Sequence, residues 1–297
     1  MPHALLRALL VLLGAAALTA CDAPQPPASE AIIGGVPASQ IVEGYGLLED
    51  NGYTLPPVPP GYLEGVNRRA LVPYRGDEAP GSIEVDPHAK FLFLVNADGT
   101  AWRYPIAVGR EGRGISGSFT IRRKAEWPGW TPTANMLRRD PEIYGPFRGG
   151  VPGGLASPLG ARALYLYRGG RDTYYRIHGT NDLSSIGNEG SAGCIRLFNQ
   201  DVIDLFERVP EGTPVVIRSY EESVRLEGEA LANRGVELPP LYLSPDQIVD
   251  GTTTQRPPVP EAMLPESAAG QPLAAAPGGG AGGGVEMVGA GFAPAQG

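Results

Sequence analysis

The chain has 297 residues, including 42 Gly and 31 Pro, and a formal net charge of −8 at pH 7. That much Gly and Pro excludes an all-helical fold, because few windows stay free of both for three turns, and a central stretch of about 140 residues leaves room for one sizeable core rather than two large domains. The acid lies in the flanks: residues 81–220 carry 17 Lys and Arg against 14 Asp and Glu, so the centre is mildly basic, and without a basic run longer than Arg122-Arg123-Lys124 it does not read as a nucleic-acid binder.

Residues 1–20 read as a targeting segment. Arg7 precedes an uncharged run from Ala8 to Ala20, too short to span a bilayer but the length of a signal h-region. The run ends Leu18-Thr19-Ala20-Cys21, which resembles the bacterial lipobox, and the resemblance implies a lipid on Cys21 and an exported, membrane-anchored protein facing the periplasm. Cys194 is the other cysteine. With Cys21 lipidated it has no partner in the chain, and an unpaired thiol in an oxidising compartment suggests a reactive group rather than a buried structural one.

Residues 21–80, with Pro56-Pro57-Val58-Pro59-Pro60 and no sustained period, read as a tether and irregular arm, so the folded domain is expected to begin near Pro80. Ser82–Asp86 alternates as a strand. Lys90–Asn96 and Ala101–Val108 are apolar runs joined by Ala97-Asp98-Gly99-Thr100, a hairpin signal. Gly112-Arg113-Gly114-Ile115-Ser116-Gly117 matches a dinucleotide fingerprint, but a strand pattern follows it at Ser118–Arg123 where a helix would be needed, so it is read as a glycine-rich turn. Glu126–Met136 and residues 145–160 read as loops. Ala163–Tyr167 and Thr173–His178 form a second hairpin about Gly169-Gly170.

One helix is predicted from Asn199 or Gln200, with Val202, Leu205, Phe206 and Val209 on one face and Pro210 after it. Thr213–Arg218 closes the domain as a strand. The expected fold is mainly β with one or two short helices, in a domain spanning 81–220. Residues 221–250 form a C-terminal extension with a loose helix, and residues 251–297 a disordered Gly/Pro/Ala-rich tail.

The chemistry points to His178 and Cys194. His178 closes a strand, and a Gly-rich polar loop leads from it to the cysteine. A neighbouring imidazole can take the thiol proton, and Gly193 permits a backbone turn that would aim N–H groups at an oxyanion beside the sulfur. One His, one Cys and scattered acids do not make a closed metal set.

His178-Gly179-Thr180-Asn181 and Ser191-Ala192-Gly193-Cys194-Ile195-Arg196-Leu197 resemble the signature of the L,D-transpeptidase catalytic domain, the YkuD type, with similarity over about 81–218. The resemblance implies an L,D-transpeptidase-like β-sandwich or barrel. It implies Cys194 as nucleophile on meso-diaminopimelate of a tetrapeptide stem, His178 as general base and then acid, and the Gly179 carbonyl orienting the imidazole. The N–H groups of Gly193 and Cys194 would form the oxyanion hole. Arg196 would pair with a substrate carboxylate or hold the loop. Thr180 and Asn181 would line the site, with Ser191 shaping its loop. Trp127 and Trp130 would wall the groove in preference to filling core. Ala192 stands where many relatives carry His, which touches that side chain's contribution and not the Cys-His pair.

No metal or organic cofactor is implied. The expected partners are peptidoglycan stem peptides, a wall-attached acceptor protein and, through the lipid anchor, a membrane. The same site would serve an L,D-carboxypeptidase or cross-link hydrolase if water resolved the thioester. A non-catalytic wall-binding lipoprotein and a redox-sensing thiol are the readings from other classes. The resemblance further implies that a carbapenem acylates Cys194.

Overall fold

The computed structural model describes residues 30–109, 115–189 and 193–238. The leader with Cys21, the tail beyond 238, residues 110–114 (which include Gly112, Arg113 and Gly114 of the glycine-rich motif), and Gly190, Ser191 and Ala192 lie outside the described residues. Two antiparallel ribbons come first: β1 (Ile32–Ile33) with β2 (Val36–Pro37), and β3 (Leu48–Asp50) with β4 (Tyr53–Leu55). The chain then runs through β5 (Ala70–Pro73), β6 (Ile83–Asp86), β7 (Phe91–Val95), β8 (Thr100–Pro105), β9 (Ala107–Val108) and β10 (Gly117–Glu126). Two short helices follow, α1 (Ala134–Arg139) and α2 (Pro141–Tyr144). β11 (Arg162–Arg168) and β12 (Arg171–Gly179) form a hairpin, then come β13 (Ile195–Leu197), α3 (Asn199–Arg208), β14 (Pro214–Ile217), α4 (Tyr220–Glu227) and α5 (Glu229–Ala232).

Ten of the strands form one mixed sheet in the order β5-β8-β7-β6-β14-β10-β11-β12-β13-β9. Only the β12–β13 and β14–β6 pairs are parallel. The second and tenth positions of this sheet belong to β8 and β9, and a single residue, Ile106, separates them in the chain. In a flat sheet with strands about 4.8 Å apart, positions eight places apart would lie roughly 38 Å from one another, whereas one residue reaches about 4 Å. The sheet therefore curls until its far edges meet at Ile106. Ile83, Leu92, Tyr104, Ile106, Ile121, Leu164, Ile177, Ile195 and Val215 accordingly share one core. The periodic face of α3, Val202, Leu205 and Phe206, is buried in that core.

Residues 30–80 are not the tether expected of them. Tyr45, Val58, Tyr62 and Leu63 are buried in a second cluster with Ile186 and Phe198, and β5 pairs with β8 in the main sheet, so the folded unit begins well before Pro80. Asp50 on β3 accepts two hydrogen bonds from the Arg162 guanidinium, both at 2.7 Å, and a third from the Trp127 indole at 2.7 Å. Tyr53 lays its ring on Trp127 with centroids 4.3 Å apart. These anchors are separated from their partners by many residues and by prolines, so no local period betrays them. The stretch expected as a loop from Glu126 to Met136 begins as the last residue of β10 and ends inside α1. The C-terminal extension opens with a capped helix: the Ser219 hydroxyl accepts from Glu222 N–H while the Glu222 carboxylate accepts from Ser219 N–H.

Arg162 is almost fully buried, so Asp50→Ala would remove its two-bonded carboxylate and leave only Glu126 at 4.0 Å. The expected loss is about 3 kcal/mol in denaturant unfolding at pH 7. The Arg162 hydrogen bonds hold the Asp50 carboxyl below its ordinary value. Its stabilisation is therefore present above the unfolded carboxylate range, about pH 4, and is lost as pH falls through the lowered folded value. The gap between the parent and Asp50→Ala should close in acid, and an equal gap at every pH would refute the assignment.

Candidate active site

The parallel pairing of β12 with β13 sets Ile177 beside Ile195, His178 beside Arg196 and Gly179 beside Leu197. Successive side chains of a strand point to opposite faces. Ile177, Ile195 and Leu197 enter the core, which leaves Arg176 and His178 on the other face of β12, together with Cys194 and Arg196 along the adjoining segment. The histidine and the cysteine thus reach one face from neighbouring segments, although 16 positions separate them in the chain. Beyond β13 lies β9, with Ile195 paired to Val108 and Arg196 to Ala107, so the strand that follows Cys194 is held from both sides.

His178 is buried, and its Nδ1 lies 2.6 Å from the Gly179 carbonyl oxygen. A carbonyl oxygen only accepts, so Nδ1 carries the proton and Nε2 keeps its lone pair. The orienting carbonyl is fixed in turn. Asn199, the first residue of α3, accepts from Ala161 N–H at 2.9 Å and donates to the Thr180 carbonyl at 3.2 Å. Its amide oxygen occupies the space a Cβ would need at both Gly160 and Gly179. Position 179 must therefore be glycine as long as Asn199 stays in place.

Cys194 is half-buried, and Gly193 before it has φ +118°, a backbone state that favours glycine. Burial pushes the Cys194 thiol above its ordinary value, while the Arg176 backbone N–H and the Arg196 charge act the other way. Burial pushes the His178 imidazole down to about 3, reinforced by the Arg196 charge. Both shifts favour the uncharged forms, so thiol and imidazole rest neutral on one face of the sheet. Such a pair can transfer its proton once an electrophile draws the sulfur forward.

The other sequence-predicted residues take more varied places. Arg196 lies 3.8 Å from the Asp182 carboxylate, on the site's face. Thr180 is buried and its hydroxyl accepts from Asp182 N–H at 3.1 Å. Asn181 donates to the Leu155 carbonyl at 2.6 Å, tying down the loop between β10 and β11. Trp127 is a core side chain, not a groove wall: it is 8% exposed, clusters with Leu55 and Ala161, and spends its N–H on Asp50. Trp130 stands partly exposed against Tyr144 and Phe147, with ring centroids at 6.2 and 5.9 Å. Sequence reasoning missed Tyr144. Burial raises its phenol, and its ring packs on Trp130. The Asp140-Pro141 step, a helix-start signal between the two stretches read as loops, could have drawn attention to it. Among the described residues no group of three or more His, Cys, Asp or Glu side chains is placed to hold a metal ion.

Residues 80–217 match the family model of the L,D-transpeptidase catalytic domain, YkuD. The chain is 38% identical over 136 residues to the probable L,D-transpeptidase YbiS of Escherichia coli (strain K12), which covers 45% of this chain and 42% of that protein. It is 36% identical over 137 residues to the putative L,D-transpeptidase YqjB of Bacillus subtilis (strain 168), covering 44% of this chain and 69% of that protein. A crystal structure from Brucella melitensis, described as a probable carnitine operon oxidoreductase, is 47% identical and covers 53% of this chain and 98% of that one, with a TM-score of 0.37. The chain thus spans about two fifths of the Escherichia coli relative's length. Taken with the motif around His178 and Cys194, these matches show that the chain belongs to the L,D-transpeptidase catalytic domain family of the YkuD type.

Proposed function

We propose that this protein is a peptidoglycan L,D-transpeptidase working through a thioester on Cys194. The observation that carries the reading is the 2.6 Å bond between His178 Nδ1 and the Gly179 carbonyl, which leaves Nε2 as a base on the face that Cys194 shares. Nε2 takes the thiol proton as the sulfur attacks the carbonyl of meso-diaminopimelate in a tetrapeptide stem. The Gly193 and Cys194 N–H groups meet the oxyanion. The C–N bond to D-Ala breaks, and the departing amine takes the proton from the imidazolium, leaving the acyl group on sulfur. An incoming amine then attacks the thioester, gives its proton to His178, and releases the thiol as the C–S bond breaks. That amine is a second diaminopimelate, giving a 3-3 cross-link, or an amine on a protein joined to the wall. The basic central segment suits stem peptides rich in carboxylates. With Cys21 lipidated, the reaction faces the periplasm at a membrane.

Incubating the full chain with defined muropeptides should yield cross-linked dimers, and Cys194→Ala should lower their formation by at least 10³-fold, a typical scale for removing a covalent nucleophile. Trimmed monomers in place of dimers would mark a carboxypeptidase. Undiminished cross-linking by Cys194→Ala would end the mechanism.

The neutral resting pair makes a separate prediction. Iodoacetamide alkylation of Cys194 in the native protein should keep rising with pH past about 8.5, the ordinary thiol value. A thiolate–imidazolium pair would instead give a plateau near pH 6 to 7, and observing that plateau would contradict the burial argument.

A further inference from the structure

The loop entering the nucleophile is gripped by two segments that lie outside the family-matched residues 80–217. From the N-terminal side, Asn67 donates to the Ile186 carbonyl at 3.3 Å and to the Tyr62 carbonyl at 2.8 Å. Its amide oxygen accepts from Arg234 at 3.1 Å. From the C-terminal side, Glu189 N–H donates to the Val236 carbonyl at 3.0 Å, and Leu238 N–H donates to the Glu189 carbonyl at 2.7 Å. Val236 N–H donates to the Asn188 side chain at 3.0 Å. Between these grips Gly187 and Gly235 both have positive φ, and a Cβ on Gly235 would strike the Gly187 carbonyl. Gly187 N–H donates to the Ile106 carbonyl at 3.0 Å, which joins the same stretch to the closure of the sheet. Arg234 is buried with its guanidinium 4.6 Å from the Phe91 ring centroid, so the C-terminal grip is itself rooted in the domain.

Only three residues of sequence separate Glu189 from Gly193. β13 fixes the far end of that short link, and the two segments fix the near end. We infer that Asn67 and the Val236–Leu238 stretch are positioning elements for the Gly193–Cys194 backbone: they hold Ile186–Glu189 so that the two N–H groups face the developing oxyanion. This inference rests on Cys194 being the nucleophile. It assigns to the flanks of the chain a part of the catalytic geometry that the central domain does not supply alone.

The test compares two reactions of one thiol in the full chain. Acylation by a carbapenem needs the oxyanion N–H groups, whereas alkylation by iodoacetamide does not. Asn67→Asp keeps an acceptor for Arg234 but loses the donor to Ile186, and Val236→Pro loses the N–H to Asn188. Each should slow acylation of Cys194, followed by intact mass, about tenfold, a fraction of what an oxyanion donor contributes. Alkylation should stay within about twofold. Asn67→Asp is included because it should remain folded if Val236→Pro does not. Equal slowing of both reactions would reduce the grips to general scaffolding, and unchanged acylation in folded Asn67→Asp would overturn the inference. If the unsubstituted protein is alkylated at Cys194 but never acylated, the transpeptidase reading itself fails, and the grip with it.

Discussion

The structure turns on Ile106. One residue has to carry the chain from β8 near one edge of a ten-stranded sheet to β9 at the other, and no flat sheet allows it. Closure gathers the strands of the sheet around its main core, and it also supplies β13 with a second neighbour. A three-residue strand paired on one side only would be weakly held. Between β12 and β9 it has backbone partners on both sides, so Cys194 emerges from a fixed point. The Ile106 peptide is used on both of its polar groups, its N–H donating to the Lys90 carbonyl and its carbonyl accepting from Gly187. The bend that closes the sheet and the bend at Gly187 that precedes Cys194 are thus bonded to each other.

The buried charge of this molecule is managed in two ways. Arg218 meets Glu84, Asp86 and Glu227, and Asp86 also accepts from Ser223 and from the N–H groups of His88 and Ala89. That network fastens α4 to β6. At the site the opposite solution holds: burial keeps the imidazole and thiol neutral, and Arg196 nearby deepens the cost of an imidazolium. Under the proposed mechanism, a pair kept uncharged at rest would lose little on desolvation, and the surrounding positive charge would act once negative charge gathers on the acyl oxygen.

Much of the central fold was legible in the sequence because its signals are short-range. The Asp98-Gly99 hairpin, the Gly169-Gly170 hairpin and the face of α3 each lie within a dozen residues, and each appears close to where the pattern puts it. His178 and Cys194, which the fold brings to one face, were singled out by the motif that surrounds them. Residues 30–80 were not, because their anchors act at a distance: Asp50 meets Arg162 across 112 positions and Tyr45 meets Asp201 across 156. Trp127 shows the same limit, since an aromatic beside Pro and Gly looks like a groove wall until Asp50 and Tyr53 arrive to cover it. Tyr144 and Asn199 escaped because their importance comes from what stands next to them in space, which neither residue type announces.

Asn199 leaves a mark on what this sequence can become. Its amide oxygen fills the room a methyl group would need at Gly160 and at Gly179, while its two hydrogen bonds join the start of α3 to the strand ends that carry His178. The three positions behave as one unit of inheritance. A side chain at either glycine is barred while the asparagine remains, and a smaller residue at 199 would open space at Gly179 but release both strand ends, with Gly160 still closed by the Gly179 backbone. Drift through single substitutions is closed along this seam, so the geometry behind the imidazole can change only by coordinated replacement.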